Sequence, residues 1–142
     1  SRRYDSVVDA IMESFRSAGD RPSDIRVFVA LGIGPENFPH PVNHPKFGAI
    51  NKKFIEAAIL LGGECVVETD GEKCFDLHKI ISQQFQKHGV NPRWVKHDAH
   101  NTWSELDGCG RFKWWSAARD CNSPAKSKRN GVLVVHHLKN DW

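Results

Sequence analysis

The chain has 142 residues, 39% of them hydrophobic and 26% charged, with a formal net charge of +3. That size and balance suit one folded domain over residues 1–142 and exclude wholesale disorder, and no apolar run approaches the roughly 20 residues that cross a bilayer. Lysines and arginines are interspersed with acids almost throughout, which argues against nucleic acid as a partner. No apolar signal core follows Ser1-Arg2-Arg3, so a membrane is not an expected partner and the expected compartment is the cytoplasm.

In chain order, Tyr4, Val7, Val8, Ile11, Met12 and Phe15 recur at helical spacing ahead of Gly19, which predicts a one-faced helix of about three turns. Pro22-Ser23-Asp24 marks a turn. The next stretch, IRVFVAL from Ile25 to Leu31, is nearly all apolar and predicts a strand covered on both faces. Pro35, Pro39, Pro41 and Pro45 then keep residues 35–45 out of regular structure. A second helix is expected from Phe47 to about Leu61, with Phe47, Ile50, Phe54, Ala57, Ala58 and Leu61 inward and Gly62-Gly63 closing it.

Cys65-Val66-Val67 reads as a short strand and TDGEK (69–73) as a tight turn. Asp76 is the expected N-cap of a third helix, with Leu77, Ile80, Ile81, Gln84 and Phe85 inward and Gly89 just past its end. Trp94 to Asp98 reads as a strand, 99–113 as a polar loop, WWSAARD (114–120) as either, and Gly131 to Leu138 as a closing strand. Helices alternate with strands, so the class is α/β or α+β. The chain opens inside its first helix and its strands are few for a full layer, so it reads as part of a longer protein or as a half-domain.

The four cysteines (Cys65, Cys74, Cys109, Cys121) contain no close pair of the kind a structural zinc site uses, and the expectation is four free, mostly buried thiols. Gly32-Ile33-Gly34-Pro35 lacks the third glycine of a dinucleotide fingerprint, and Pro35 removes an amide. Two readings remain: a strand-ending turn where only glycine tolerates the dihedrals, or a small nest of amides for an oxyanion or one phosphate. His40 and His44 lie four apart but between prolines, where helical convergence on one ion fails; they read as surface residues of a stiff rim, and no metal ligand is assigned. HDAHNTW (97–103) places His97, Asp98, His100 and Asn101 at a strand end; Asp98 and His100 are the candidate catalytic pair, because imidazole titrates near neutrality. Trp103, Trp114 and Trp115 beside Arg111 and Lys113 suit stacking against a flat base, whereas KSKRNG (126–131) reads as a solvated turn.

The segment YDSVVDAIMESFRSAGDRPSDIRVFVALGIGPENF, then KCFDLHKIISQQFQKHGVNPRWVKHDAHNTW, then FKWWSAARDC, resembles in order and spacing the laccase-domain family. That family also goes under multicopper polyphenol oxidoreductase-like, peptidoglycan editing factor and zinc-dependent purine nucleoside phosphorylase. The resemblance covers the C-terminal part of the family's domain and implies layered mixed β-sheets with helices. It further implies a zinc-dependent enzyme that phosphorolyses or deaminates purine nucleosides, or alternatively an amidase on peptidoglycan precursors. The family's zinc ligands and catalytic cysteine belong to an N-terminal half that these segments do not include, so no cofactor is expected within this chain. The missing half, or another chain, is then the expected partner, beside a small nucleoside. Gly32, Gly34, Glu36, Asn37, Arg119, Asp120 and Trp115 would line the pocket. Where family members carry cysteines after the Gly-Pro loop this chain has Glu36 and Asn37, the downstream Cys-Thr is Asn101-Thr102, and one paired arginine is Ala118. These departures support a further alternative, a non-enzymatic half-domain that binds a partner or nucleic acid. The histidines are too scattered for a copper cluster.

Overall fold

Ser6 opens the first helix: its hydroxyl accepts the Asp9 amide at 3.1 Å, and α1 then runs Val7–Ser17. The structure is a computed structural model and describes residues 6–98, 100–114 and 116. The expected closing strand Gly131–Leu138, most of WWSAARD, and Cys121 lie outside those residues.

Helix α1 buries Val8 and Met12 but leaves Val7, Ile11 and Phe15 exposed, a narrower seam than the sequence periodicity suggested. Its main helical partner among the described residues is α3 (Leu77–Lys87), and one helix covers only a stripe of another. The same two helices are tied by His88, whose Nε2 lies 2.6 Å from Asp9 Oδ1. That contact, with the Ser6 hydroxyl, holds the Asp9 carboxyl below its usual range.

Strand β1 (Val27–Val29) pairs in parallel with β4 (Val95–His97), in the register Val27 with Val95 and Val29 with His97. Val8, Met12, Ile25, Phe85, Val90 and Val95 form the core beneath this pair. The expectation of cover on both faces is corrected here: Phe28 is 67% exposed. Its neighbours on that face are Lys96, its register partner, and Arg26, whose guanidinium lies 3.5 Å over the Trp94 ring. A face carrying two cations is finished for solvent or a partner rather than for a second buried layer.

Helix α2 (Gly48–Leu61) starts and ends where expected but is rotated. It buries Gly48, Asn51, Ile55 and Ala58, whereas Phe47, Ile50 and Phe54 are exposed. The preceding loop decides the face. Gly48 packs directly on the Val42 carbonyl, and the Asn51 side-chain Nδ2 donates to the Pro41 carbonyl at 3.0 Å. Below it, β2 (Val66–Thr69) and β3 (Glu72–Phe75) form an antiparallel hairpin through Asp70-Gly71, both at positive φ as a two-residue turn requires. The turn is the one expected from TDGEK, whereas β3 was not expected, because EKCF shows little alternation. Ile55, Ala58, Cys65 and Phe75 make this second core.

The proline-rich segment is pinned to the hairpin: the His40 amide donates to Lys73 O at 2.8 Å and the Phe75 amide to Phe38 O at 3.2 Å. His40 stacks on Phe75 with ring centroids 3.9 Å apart, and His44 Nδ1 accepts the Lys46 and Phe47 amides. Both histidines therefore do structural work in the loop. Asp76 caps α3 by accepting the Lys79 amide at 3.0 Å, and Gly89 follows at φ +90°, both as the sequence indicated. The class is thus mixed α/β with a small parallel pair and an antiparallel hairpin, consistent with part of a laccase-like domain. Among the described residues no helix is long and apolar enough to cross a membrane.

Candidate functional site

Because β1 and β4 are parallel neighbours, their C-terminal ends emerge side by side and bring residues 31–37 against residues 98 and 100–105. The junction is hydrogen-bonded throughout. The Asp98 amide donates to Val29 O at 3.0 Å and the Thr102 amide to Gly32 O at 2.8 Å, and Gly32 bridges to Asn101. Asp98 Oδ2 accepts the Leu31 amide at 3.2 Å and Oδ1 the His100 amide at 3.0 Å. Both carboxylate oxygens of Asp98 thus serve the backbone, which leaves His100 as the group able to move a proton.

The left-handed residue of this turn is Leu31, at φ 59°, and its strain is compensated by Asp98. Gly34 has φ −63°, so the expectation that these glycines supply unusual dihedrals is corrected. They supply room. A Cβ at Gly32 would overlap the His78 imidazole, and one at Gly34 would overlap the Asn101 amide and the Glu36 carboxylate. Asn101 Nδ2 donates to Glu36 Oε1 at 2.8 Å and lies 3.1 Å from the Asn37 side-chain amide, while its oxygen accepts the Trp103 amide at 3.0 Å. Glu36 and Asn37 occupy a single 3-10 turn begun by Pro35, which fixes φ. One asparagine therefore knits the two loops into a polar edge.

Beside it Glu105 gathers three donors. Lys113 Nζ lies 2.7 Å from Oε1, and Trp114 Nε1 and His100 Nδ1 each lie 2.7 Å from Oε2. These hydrogen bonds, Lys113 first, hold the Glu105 carboxyl down to about 2. A carboxylate that accepts from His100 Nδ1 fixes the tautomer with Nε2 bare, the arrangement that suits a histidine base. The His100 and Trp114 rings are 5.3 Å apart. Glu105 was not singled out in the sequence; nothing marks an acid five residues beyond a histidine inside a polar loop. Gly32, Gly34, Glu36, Asn37, Asp98 and His100 are brought together, whereas Trp115, Arg119 and Asp120 lie outside the described residues.

The multi-copper polyphenol oxidoreductase laccase family matches the chain over residues 3–120. The chain belongs to this laccase-domain family. Searches of the curated proteins and of the solved structures found no match. The metal chemistry that laccase-domain proteins are named for finds no fitting donor set here: among the described residues no three His, Cys, Asp or Glu side chains are placed to hold an ion. Cys65 and Cys74 are buried, and burial pushes both thiols up; Cys109 is exposed. Neither buried thiol is placed as an activated nucleophile.

Proposed function

We propose that this chain supplies the substrate-facing wall of a laccase-domain enzyme acting on purine nucleosides, by phosphorolysis or deamination. In this reading the zinc ligands and nucleophilic cysteine sit on a second half-domain. The observation that carries it is the polar edge made by Asn101, Glu36 and Asn37 beside the His100–Glu105 pair. A purine nucleoside is a flat aromatic base joined to a sugar rich in hydroxyls. Glu36 Oε2 and the remaining lone pairs of the Asn101 and Asn37 oxygens offer acceptors suited to hydroxyls or the N–H groups of a base edge. The Trp103, His100 and Trp114 rings offer planar faces. His100 Nε2 would accept or return a proton at the substrate, with Glu105 holding the ring.

Equilibrium dialysis of the protein against inosine and adenosine at millimolar concentration tests this reading. Saturable binding that prefers purine to pyrimidine nucleosides, and that Asn101→Ala abolishes, is the expected result. Equal binding of uridine, or binding indifferent to Asn101→Ala, would sink it. A non-enzymatic protein-binding role has one observation in its favour, the exposed Phe47, Ile50 and Phe54 of α2. Under that reading Phe54→Ser would release a partner protein and Asn101→Ala would not.

A further inference from the structure

Beneath the Gly32–Asn101 junction lie two histidines that the candidate site leaves unused. His78, from the first turn of α3, stacks on His97, the last residue of β4, with ring centroids 4.7 Å apart and planes 29° from parallel. His97 Nε2 meets Ser82 Oγ at 2.7 Å. His97 Nδ1 and His78 Nε2 are fully buried without a hydrogen-bond partner. Buried polar atoms of that kind are rare in native proteins and each calls for a reason. His78 Nε2 faces Gly32 so closely that only a glycine fits there. The pair is therefore a wedge between α3, β4 and the one backbone segment that carries Gly32 O, the acceptor for the Thr102 amide.

A neutral pair packs here by ring contact. Protonation would add N–H donors with no acceptor in reach at the two buried nitrogens and place a cation against a second imidazole. We propose that the His78–His97 stack is a proton-operated latch: neutral, it holds the Gly32–Asn101 junction closed, and protonated at mildly acidic pH it separates and frees the Gly32–Asn37 loop.

The surroundings agree with this direction. Burial first, and the neighbouring His78 second, depress the His97 imidazole below its ordinary 6.5, opposed by Asp76. Asp76 is itself shared with Lys79 at 3.4 Å. From β1 the register partner is Val29, which does not titrate, and Asp98 commits both oxygens to the Leu31 and His100 amides. A depressed imidazole contributes stability that is fully present above 6.5 and is lost as pH falls through its lower folded value. The latch closes at neutrality and opens on acidification.

The test is amide exchange at Thr102 in the full chain, corrected for intrinsic exchange, between about pH 7.5 and about pH 5. Protection should fall about tenfold or more in the native protein, with α1 amides unchanged, and stay flat in His78→Gln and His97→Gln. A flat native profile, a fall that persists in the double variant, or a parallel fall in α1 would overturn the proposal. Should the variants not fold, ring chemical shifts of His97 in the native protein decide. Their midpoint must coincide with the loss of Thr102 protection, and a His97 still neutral once Thr102 has opened refutes the latch. No nucleoside enters this experiment, so its failure is separable from failure of the nucleoside reading.

Discussion

Replacing Gly32 by alanine tests the packing at the heart of the junction. The new Cβ would meet His78 Nε2 well inside contact distance, with His78 Cε1 and Cδ2 at 3.1 and 3.2 Å. The ring cannot simply swing away, because its far face is stacked on His97. Overpacking of this kind costs about 1–3 kcal/mol. For a domain of this length each kcal/mol moves the melting temperature by roughly 4 °C, so Gly32→Ala should lower Tm by about 4–12 °C. Urea and thermal unfolding of Gly32→Ala, His78→Ala and the double variant close a cycle. If the imidazole is the obstacle, Gly32→Ala should cost about 1 kcal/mol or more less in the His78→Ala background, the size of coupling expected for touching residues. An equal cost in both backgrounds would refute the close approach and return Gly32 to a dihedral role.

Gly48→Ala drives a Cβ into the Val42 carbonyl, a backbone atom that cannot rotate aside, and should destabilise by about 1–3 kcal/mol despite alanine's better helix propensity; an unchanged urea midpoint would contradict the α2 orientation. Glu105, held at about 2 against an ordinary 4.5, contributes stability that is present above about 4.5 and lost as pH falls towards 2. Glu105→Gln should therefore weaken the protein at neutrality, and the gap between variant and native unfolding midpoints should close on acidification; a gap that persists at pH near 2 would show that Glu105 acts by shape alone. Cys109, exposed, should react with a maleimide in the native state, whereas Cys65 and Cys74 should react only on unfolding, as mapped by peptide mass spectrometry; equal labelling of all three would contradict the second core.

Much of the fold was legible where local chemistry acts alone. Asp76 and Gly89 bracket α3 because a cap and a left-handed residue are properties of short sequence, and the Asp70-Gly71 turn is of the same kind. What the sequence hid was set by contacts distant along the chain. The face of α2 follows from the Val42 carbonyl and the Pro41–Asn51 hydrogen bond, which override a plausible apolar stripe at Phe47, Ile50 and Phe54. Phe28 sits in an unbroken apolar run, and such a run does not tell how many of its faces are covered. In the site, Gly32, Gly34, Glu36 and Asn37 as pocket lining, and Asp98 and His100 as a catalytic pair, are separate candidates in the sequence, and the parallel pairing of β1 with β4 brings the two sets to one junction. The reason for the glycines was hidden, since the overlap with His78 and Asn101 exists only once α3 and β4 are placed. Glu105 and the His78–His97 stack had no sequence signal for the same reason.

On the proposed reading, the edge joining Asn101 to Glu36 and Asn37 faces a purine nucleoside. Residue-resolved NMR of the labelled protein during an inosine titration tests it most directly. Saturable shifts are expected at the Asn101 and Asn37 side-chain amides, the Trp103 indole and the His100 ring, all following one binding curve, while α1 and the β2–β3 turn stay still. Shifts that gather instead on α2 or the exposed Phe28 face, with the Asn101 amide unmoved at saturation, would contradict it.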